Sequence, residues 1–289
     1  MRSLRFGLSL FALAVIGRAA EPKAPAATPA ALPGAETHVF RALTPEPVRL
    51  HVFKPRHWQA SDHRIAFVWF FGGGWTHGTP ENAAGWAKWA ADRGFVGIAP
   101  DYRVKERFGT SPLEAVADGR AALRWIEDHA RELGIDPARV VVGGNSAGGH
   151  VALWTAIGPT PPGSAAGEAP SVKPAALILT SAVSDTSPKT GYTPSRFGDQ
   201  TMALSPVHRL DARMPPMLVF HGEADQTVPQ AQSLALVASL RASGNDVEFV
   251  NVPGGSHNFS GDLPEWREKT RTMAEAFLRQ RQLWPENAR

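Results

Sequence analysis

Residues 140–150 read Val-Val-Val-Gly-Gly-Asn-Ser-Ala-Gly-Gly-His, and this stretch organises the rest of the chain. Its β-branched start predicts a buried strand, and the apolar residues that follow predict a helix over residues 147–157. Ser146 lies between them, on a sharp turn at the carboxyl edge of a sheet. Gly144 and Gly148 leave room for this turn, because a Cβ at either position would crowd it. The sequence therefore predicts an exposed hydroxyl at a strand-to-helix turn.

The same glycines have two other interpretations. The pattern G-x-S-x-G alone also occurs in an ordinary turn that carries a surface serine. A dinucleotide-binding loop would need G-x-G-x-x-G and an acidic residue about 20 positions later. Asn145 occupies the place of the second glycine, and residues 163–167 belong to a loop rich in proline and glycine. We therefore discard the dinucleotide interpretation.

Strand and helix patterns alternate along the rest of the chain. Strands are predicted over residues 48–53, 65–71, 95–99, 176–182, 217–221 and 247–252, and helices over residues 81–92, 111–133, 230–242 and 263–282. The run at residues 65–71 is almost entirely apolar, as in a central strand that is buried on both faces. Such alternation predicts an α/β fold with a mostly parallel central sheet and helices on both faces. We expect one domain, at residues 38–289.

The beginning of the chain has the pattern of a targeting segment. Arginines precede an apolar stretch at residues 6–17, and two alanines follow it. This pattern predicts a secretory signal peptide at residues 1–20, and the apolar stretch is shorter than the roughly 20 residues that span a bilayer. Residues 21–37 are rich in alanine and proline and are predicted to form a flexible tether. We therefore expect an exported protein, periplasmic or secreted, without stable membrane insertion.

Composition limits the kinds of partner. The chain has 30 Lys and Arg residues, 27 Asp and Glu residues, and no cysteine. Three of the basic residues (Arg2, Arg5 and Arg18) belong to the predicted signal peptide, so the remaining chain would have no net charge. Charge therefore gives no reason to expect a nucleic-acid partner. The lack of cysteine excludes disulfides and a lipid-modified cysteine.

Two later loops supply the groups that a nucleophilic serine needs. A serine hydroxyl requires an imidazole to accept its proton and a carboxylate to hold that imidazole. Asp225 follows the strand at residues 217–221, and His257 lies in a glycine-rich turn after the strand at residues 247–252. The order Ser146, Asp225, His257 is the order of an α/β-hydrolase. We therefore predict these three residues as nucleophile, acid and base.

Other acids could take the place of Asp225. Glu223 lies two residues earlier in the same loop, and Asp185 follows the predicted strand at residues 176–182. Asp225 itself precedes a helix and could simply cap that helix. All three acids remain candidates, with Asp225 preferred.

Other histidines compete with His257 for the role of base. His221 lies at a strand end, where its ring is expected to brace the following turn. His77 and His150 are near glycine loops, and a base only one turn from Ser146 would point away from it. The histidines at positions 51, 57 and 63 lack metal-ligand spacing, so no metal site is predicted.

Attack on a carbonyl creates an oxyanion that needs N–H donors. Ala147, directly after the serine, supplies one. Gly73 and Gly74 follow the strand at residues 65–71 and are predicted to supply others, because a backbone without side chains can turn its amides toward a substrate. Trp75, beside this loop, is the candidate for the substrate pocket.

These motifs together resemble the esterase branch of the α/β-hydrolase superfamily, near hormone-sensitive-lipase-like and bacterial acetyl and feruloyl esterase-like (BD-FAE-like) enzymes. The motifs that carry the resemblance are Phe-Gly-Gly-Gly-Trp (71–75), Asp-Tyr-Arg (101–103), Gly-Asn-Ser-Ala-Gly-Gly-His (144–150), Ser-Pro-Val (205–207), His-Gly-Glu-Ala-Asp-Gln-Thr-Val-Pro (221–229) and Gly-Ser-His-Asn-Phe (255–259). The resemblance implies hydrolysis of carboxylic esters through a covalent acyl-enzyme, without a cofactor. It also implies the same nucleophile, acid, base and oxyanion positions.

The resemblance has one departure and leaves the substrate open. The family usually has histidine at the first position of the glycine loop, where this chain has Phe71, so we expect altered hydrogen bonding in the loop more than an altered reaction. The resemblance favours short acyl groups, with acetyl groups on a polysaccharide as one candidate. The alternatives are a serine peptidase of the same fold and a non-catalytic binding protein on an α/β-hydrolase scaffold.

Overall fold

The computed structural model describes residues 28–158, 161 and 173–286, and its centre is an eight-stranded sheet. The strands are β1 (Glu36–Arg41), β2 (Val48–Phe53), β3 (Arg64–Phe70), β4 (Val96–Pro100), β5 (Ile135–Asn145), β6 (Ala176–Thr180), β7 (Met217–Gly222) and β8 (Val247–Val252). Their order in space is β1-β2-β4-β3-β5-β6-β7-β8, and only β2 runs against its neighbours. The predicted, mostly parallel α/β sheet is confirmed.

Helices connect these strands. They are α1 (Glu81–Ala91), α2 (Lys105–Phe108), α3 (Pro112–Asp128), α4 (Ala130–Leu133), α5 (Ala147–Ala156), α6 (Ala231–Ala242), α7 (Phe259–Asp262) and α8 (Pro264–Gln280). The helix predicted over residues 111–133 is interrupted at His129, whose φ of −106° and ψ of 13° lie outside the helical range. Within the described ranges, none of these helices combines the length and the apolar character needed to cross a membrane.

The central strand β3 shows how the sheet is covered. Residues 65–70 are all buried, and successive side chains of a strand point to opposite faces. Both faces of β3 are therefore covered. On one of them, the ring of Trp69 stacks on Trp86 of α1 with 4.3 Å between ring centroids. Because β3 is packed on both faces, the position of its carboxyl end is fixed. The glycine loop, which begins there, therefore starts from a fixed point.

Helix α5, which follows Ser146, is the most deeply placed helix in the described chain. All of its residues are buried, so it has no solvent-exposed polar face, unlike an amphipathic surface helix. The buried Arg120 of α3 donates hydrogen bonds from Nε to the carbonyl of Trp154 (3.0 Å) and from Nη2 to that of Ile157 (2.7 Å). These bonds satisfy carbonyl groups at the end of α5 that lack helical partners. The helix behind the serine is therefore anchored at its far end.

The beginning of the packed domain differs from the prediction. Thr28 donates a hydrogen bond to Asp101 (3.0 Å), Leu32 is buried, and β1 pairs with β2 from Glu36 onward. Residues 28–37, predicted as part of a tether, are instead held against the domain by these contacts, and Glu36 and Thr37 already belong to β1. The composition rule failed because one leucine and one strand pairing are enough to hold a segment rich in alanine. The predicted signal peptide and residues 21–27 lie outside the described residues, as does most of the proline- and glycine-rich loop after α5.

Candidate active site

Ser146 lies on a strained turn between β5 and α5. Its φ of 54° and ψ of −123° are costly for a residue with a side chain. Hydrogen bonds on both sides hold this conformation: its N–H donates to the carbonyl of Thr180 (3.0 Å), and its carbonyl accepts from the N–H groups of His150 and Val183 (both 3.2 Å). The neighbouring strand β6 and the first turn of α5 therefore fix the position of the serine.

The two glycines of the motif are sterically required. A Cβ on Gly144 would lie 2.5 Å from the backbone of Gly148. A Cβ on Gly148 would collide with the carbonyl oxygens of Phe70 and Phe71, at the end of β3. The prediction that side chains at these positions would crowd the turn is confirmed.

Asp225 and His257 are brought together by the loops after β7 and β8. His257 Nδ1 lies 2.8 Å from Asp225 Oδ2, and Asp225 is buried while His257 is partly exposed. The N–H groups of Thr227 and Val228 donate to the other carboxylate oxygen, at 2.8 and 2.9 Å. Because a carboxylate only accepts, the Nδ1 atom carries the proton, and Nε2 is left with a lone pair.

His221 contributes to this pair in a way that the sequence did not predict. Its Nδ1 lies 2.7 Å from Ser233 Oγ, and its Nε2 lies 2.8 Å from the carbonyl of Val228. It therefore braces the turn as expected. Its Nε2 also lies 3.1 Å from Asp225 Oδ2, the oxygen that His257 contacts. The H-G-x-x-D spacing could have indicated this contact, because the turn after β7 brings Asp225 back to the strand end where His221 lies.

The environment of Asp225 keeps it ionised at neutral pH. Burial alone would raise the pKa of this carboxyl group. Hydrogen bonds from His221 and His257, together with the N–H of Val228, outweigh burial and hold the pKa well below its usual range. The carboxylate is therefore available as a negative partner for His257.

The other candidate acids are elsewhere. Glu223 is exposed and accepts a hydrogen bond from the N–H of Gly254 (3.2 Å). Asp185 is buried and accepts from its own loop, from the hydroxyl of Thr190 (2.6 Å) and of Ser205 (3.1 Å). Of the three acids, Asp225 is the one that the structure places on His257.

Ser146 and His257 line the same cavity, which has a volume of about 560 Å³ and opens at the carboxyl ends of the strands. The glycine loop, Tyr192, Arg196 and Asn258 form other parts of its wall. Within the described ranges, no three His, Cys, Asp or Glu side chains are grouped so that they could hold a metal ion. The cavity wall contains a serine and an imidazole that a carboxylate orients.

The glycine loop after β3 also borders this cavity. Gly73 (φ 132°) and Gly74 (φ 60°) have backbone conformations that favour glycine. Neither of their N–H groups takes part in a hydrogen bond with any residue that the structure describes. Ala147 is the first residue of α5, so its N–H has no partner within the helix. The three predicted oxyanion donors therefore have unused N–H groups near the serine turn.

Aromatic packing supports the glycine loop where the family usually has histidine. The ring of Phe71 stacks on Tyr102, with 4.1 Å between centroids and 10° between planes. The hydroxyl of Tyr102 donates to the carbonyl of Phe71 (2.8 Å), and the N–H of Lys105 donates to that of Trp75 (2.9 Å). The loop is therefore held from the β4 side, and Phe71 takes part in this support.

Trp75, predicted to line the substrate pocket, borders a depression that adjoins the cavity. The described residues that line the cavity with Ser146 do not include it, and only 2% of its surface is exposed. Its ring packs edge-to-face on His150 (5.0 Å) and Phe197 (4.9 Å). A φ of 59° turns its side chain into the core behind the loop. Trp75 supports the glycine loop from beneath.

Substitution of Gly73 by alanine tests the oxyanion loop. A Cβ there would collide with the carbonyl of His77, so the loop must shift and move its N–H groups. Loss of one oxyanion donor lowers kcat about 10²- to 10³-fold, and we expect a decrease of this size for Gly73→Ala. The melting temperature of the variant should stay unchanged. Gly244→Ala is the matched control, since Gly244 also has a positive φ (74°) but open space around it. Equal turnover by both variants would remove the loop from the reaction.

His150, at the end of the serine motif, has a structural environment. It is fully buried, and its Nε2 lies 2.8 Å from the carbonyl of Leu204. Burial lowers the pKa of His150 to about 4, although the bond to Leu204 acts in the opposite direction. The ring is therefore neutral at neutral pH and packs beneath the glycine loop, away from the cavity.

This lowered pKa predicts a pH dependence of stability. Below the ordinary histidine pKa of about 6.5, His150 is protonated in the unfolded chain. In the folded chain it stays neutral down to about pH 4. The stabilisation is fully present above pH 6.5 and falls by at most about 1.4 kcal/mol per pH unit as the pH decreases. We expect His150→Gln to reduce this slope in urea unfolding between pH 6.5 and 4. The exposed His63→Gln is the control, and equal slopes in both variants would contradict the account.

The fold and this site together define the chain as an α/β-hydrolase. The family model BD-FAE matches residues 50–161 and 180–240. The chain therefore belongs to the BD-FAE family, among the α/β-hydrolase esterases.

Individual relatives agree with this assignment. A native structure of the thermophilic esterase Est2 from Thermogutta terrifontis is 34% identical, with a TM-score of 0.80, and the match covers 89% of this chain and 96% of that one. Esterase LipQ of Mycobacterium tuberculosis is 29% identical over 71% of this chain and 52% of its own length. The probable carboxylic ester hydrolase LipM, from the same organism, is 29% identical over 65% of this chain and 48% of its own. The chain thus spans about half the length of the curated relatives it matches.

Proposed function

We propose that this protein hydrolyses carboxylic esters with Ser146 as nucleophile, through a covalent acyl-enzyme. The observation that carries the proposal is that Ser146 and His257 line one cavity while Asp225 holds the His257 ring from behind at 2.8 Å. The esterase relatives support the same reaction. A binding protein would need neither the strained serine nor the buried carboxylate, each of which has a cost in stability.

The geometry supports a two-step reaction. His257 Nε2 accepts the proton of the Ser146 hydroxyl while the oxygen attacks the ester carbonyl, and Asp225 stabilises the imidazolium. The N–H groups of Gly73, Gly74 and Ala147 receive the oxyanion. His257 then gives the proton to the alcohol oxygen as its bond to the carbonyl carbon breaks. The alcohol departs, and the acyl group stays on Ser146. Water, deprotonated by the same imidazole, releases the carboxylic acid and restores the serine.

We propose that the acyl groups are short. A recess of about 120 Å³ adjoins the cavity, shares His257 and Asn145 with it, and is also lined by Trp69 and Trp86. This recess is much smaller than the cavity of about 560 Å³, so it fits a short acyl chain better than a long one. Structures of the related Est2 have been determined with propionate and with butyrate bound. Acetyl groups on a polysaccharide are one source of such esters.

A series of p-nitrophenyl esters tests this function. We expect turnover of the acetate, propionate and butyrate, a steep decrease beyond them, and no turnover of peptide anilides. Acetylated xylan, assayed for released acetate, tests the polysaccharide. Anilide cleavage without ester cleavage would favour the peptidase alternative, and no turnover of any substrate would favour a binding protein.

We further propose that the protein is exported, on the evidence of the arginines and apolar stretch in residues 1–20. Expression of the full chain, followed by separation of periplasm and cytoplasm, tests this proposal. Activity in the periplasm with a chain shortened at about residue 20 is expected. A full-length chain that stays in the cytoplasm would contradict it.

A further inference from the structure

One charged side chain stands out in the cavity wall. Arg196 is the only Lys, Arg, Asp or Glu among the described residues that line the cavity with Ser146. We propose that Arg196 makes this site selective for esters that carry a carboxylate group near the ester bond. This proposal rests on the esterase function proposed above and adds the class of substrate.

The guanidinium lies at the glycine loop of the proposed oxyanion site. Arg196 Nη1 donates a hydrogen bond to the carbonyl of Gly74, at 3.1 Å. Gly74 is one of the predicted oxyanion donors and borders the same cavity as Ser146. A substrate whose ester carbonyl reaches the oxyanion loop therefore brings its neighbouring atoms close to this cation.

The backbone that carries Arg196 is fixed. Residues Pro194–Arg196 form one turn of 3₁₀ helix, and the N–H of Arg196 donates to the carbonyl of Thr193 (3.0 Å). The next residue, Phe197, is buried and packs edge-to-face on Trp75 (4.9 Å). Since this backbone is already ordered, ligand binding by Arg196 loses only side-chain conformational entropy and no backbone entropy.

The guanidinium is not neutralised by the protein. Within the described part of the chain, the bond to Gly74 is its only hydrogen bond, and no ion pair involves it. Its remaining N–H groups form a planar fork that matches a carboxylate. An anionic substrate therefore meets an unpaired cation and no competing negative side chain in the cavity wall.

The positive surface continues beyond this cavity. Arg196 also lines an adjoining depression of about 360 Å³, together with Gly74, Thr76 and Lys105. Among the described residues that line it, none is acidic. The carboxylate can thus belong to the acyl group or to the alcohol, as in an esterified acidic sugar, and the experiment must distinguish these sources.

Two pairs of substrates separate the sources. For the acyl side, p-nitrophenyl hemiglutarate is compared with p-nitrophenyl butyrate. For the alcohol side, 4-acetoxybenzoate is compared with its methyl ester. The measured quantity is the ratio of kcat/KM for the anionic ester to kcat/KM for the neutral ester, in the wild type, Arg196→Gln and Arg196→Lys. Arg213→Gln is the matched control, since Arg213 is exposed and does not line the cavity.

We expect Arg196→Gln to lower this ratio about two- to fivefold for at least one pair, since Arg196 is exposed and an exposed ion pair contributes modestly to binding. The change should lie mainly in KM, because the carboxylate is bound equally in ground and transition states. The wild-type ratio should fall with added salt, and Arg196→Lys should restore part of it. The pair that responds identifies the side that carries the carboxylate.

Two results would overturn the proposal. An unchanged ratio for both pairs would show that Arg196 does not contact a substrate carboxylate. An equal loss for anionic and neutral esters would show that Arg196 only supports the Gly74 loop. Failure of the wild type to hydrolyse any of the four esters would instead overturn the esterase function, and the selectivity with it.

Discussion

Ser146→Ala is expected to lower kcat for p-nitrophenyl acetate by about 10⁶-fold, to the residual rate above the uncatalysed reaction that the oxyanion donors and substrate binding still support. The hydroxyl at position 146 is the only group proposed to attack the ester, and no other serine occupies the turn between β5 and α5. The hydrogen bonds that hold this turn use the backbone of residue 146, so the fold should survive the substitution. Rates are measured with the same preparation that is used for circular dichroism.

The control for this variant is Ser243→Ala, an exposed serine after α6, which should retain turnover within about twofold since surface substitutions have small effects. Turnover by Ser146→Ala within tenfold of the wild type would show that the serine turn does not supply the nucleophile.

Asp225→Asn is expected to lower kcat by about 10⁴-fold. An amide of the same shape still accepts hydrogen bonds through its oxygen, but its neutral NH₂ group cannot stabilise a positive imidazolium or select the His257 tautomer that leaves Nε2 unprotonated. The buried position of Asp225 and its two backbone donors predict some loss of stability as well. Rates are therefore measured well below the melting temperature of the variant.

Glu223→Gln is the matched test of the alternative acid in the same loop. Glu223 is exposed and bonds to the N–H of Gly254, so we expect turnover close to that of the wild type. A larger loss in Glu223→Gln than in Asp225→Asn would move the role of the acid to Glu223.

Local pattern predicted the elements that carry the reaction well. The valines before Gly143 and the apolar run after Ser146 predict the buried part of β5 and the helix α5, because these residues are buried in both elements. The strand begins earlier than predicted, at Ile135, and residues 136–139, which are not buried, carry no apolar signal. The placement of Asp225 and His257 follows from the parallel sheet, in which successive strand ends meet at one edge. The alternation of strands and helices along the chain is therefore enough to assign both residues to that edge.

Side-chain partners across the chain could not be predicted in this way. The direction of the Trp75 ring depends on a positive φ and on packing against Phe197, more than 100 residues later. Arg196 reaches the cavity through a 3₁₀ turn in a segment without strand or helix periodicity. The packed residues before β1 carry almost no hydrophobic pattern, and they are held by contacts that form only in the folded domain, such as the bond from Thr28 to Asp101 and the burial of Leu32. Each of these features depends on contacts between residues far apart in the sequence, and hydrophobic periodicity predicts only local structure.

The central claim, that Ser146 is an activated nucleophile, is tested most directly by labelling with a fluorophosphonate followed by peptide mass spectrometry. The predicted result is one phosphonyl group, located on Ser146 in the wild type, absent from Ser146→Ala and much slower to form in Asp225→Asn. A label on any other residue, or a label that persists in Ser146→Ala, would contradict the claim.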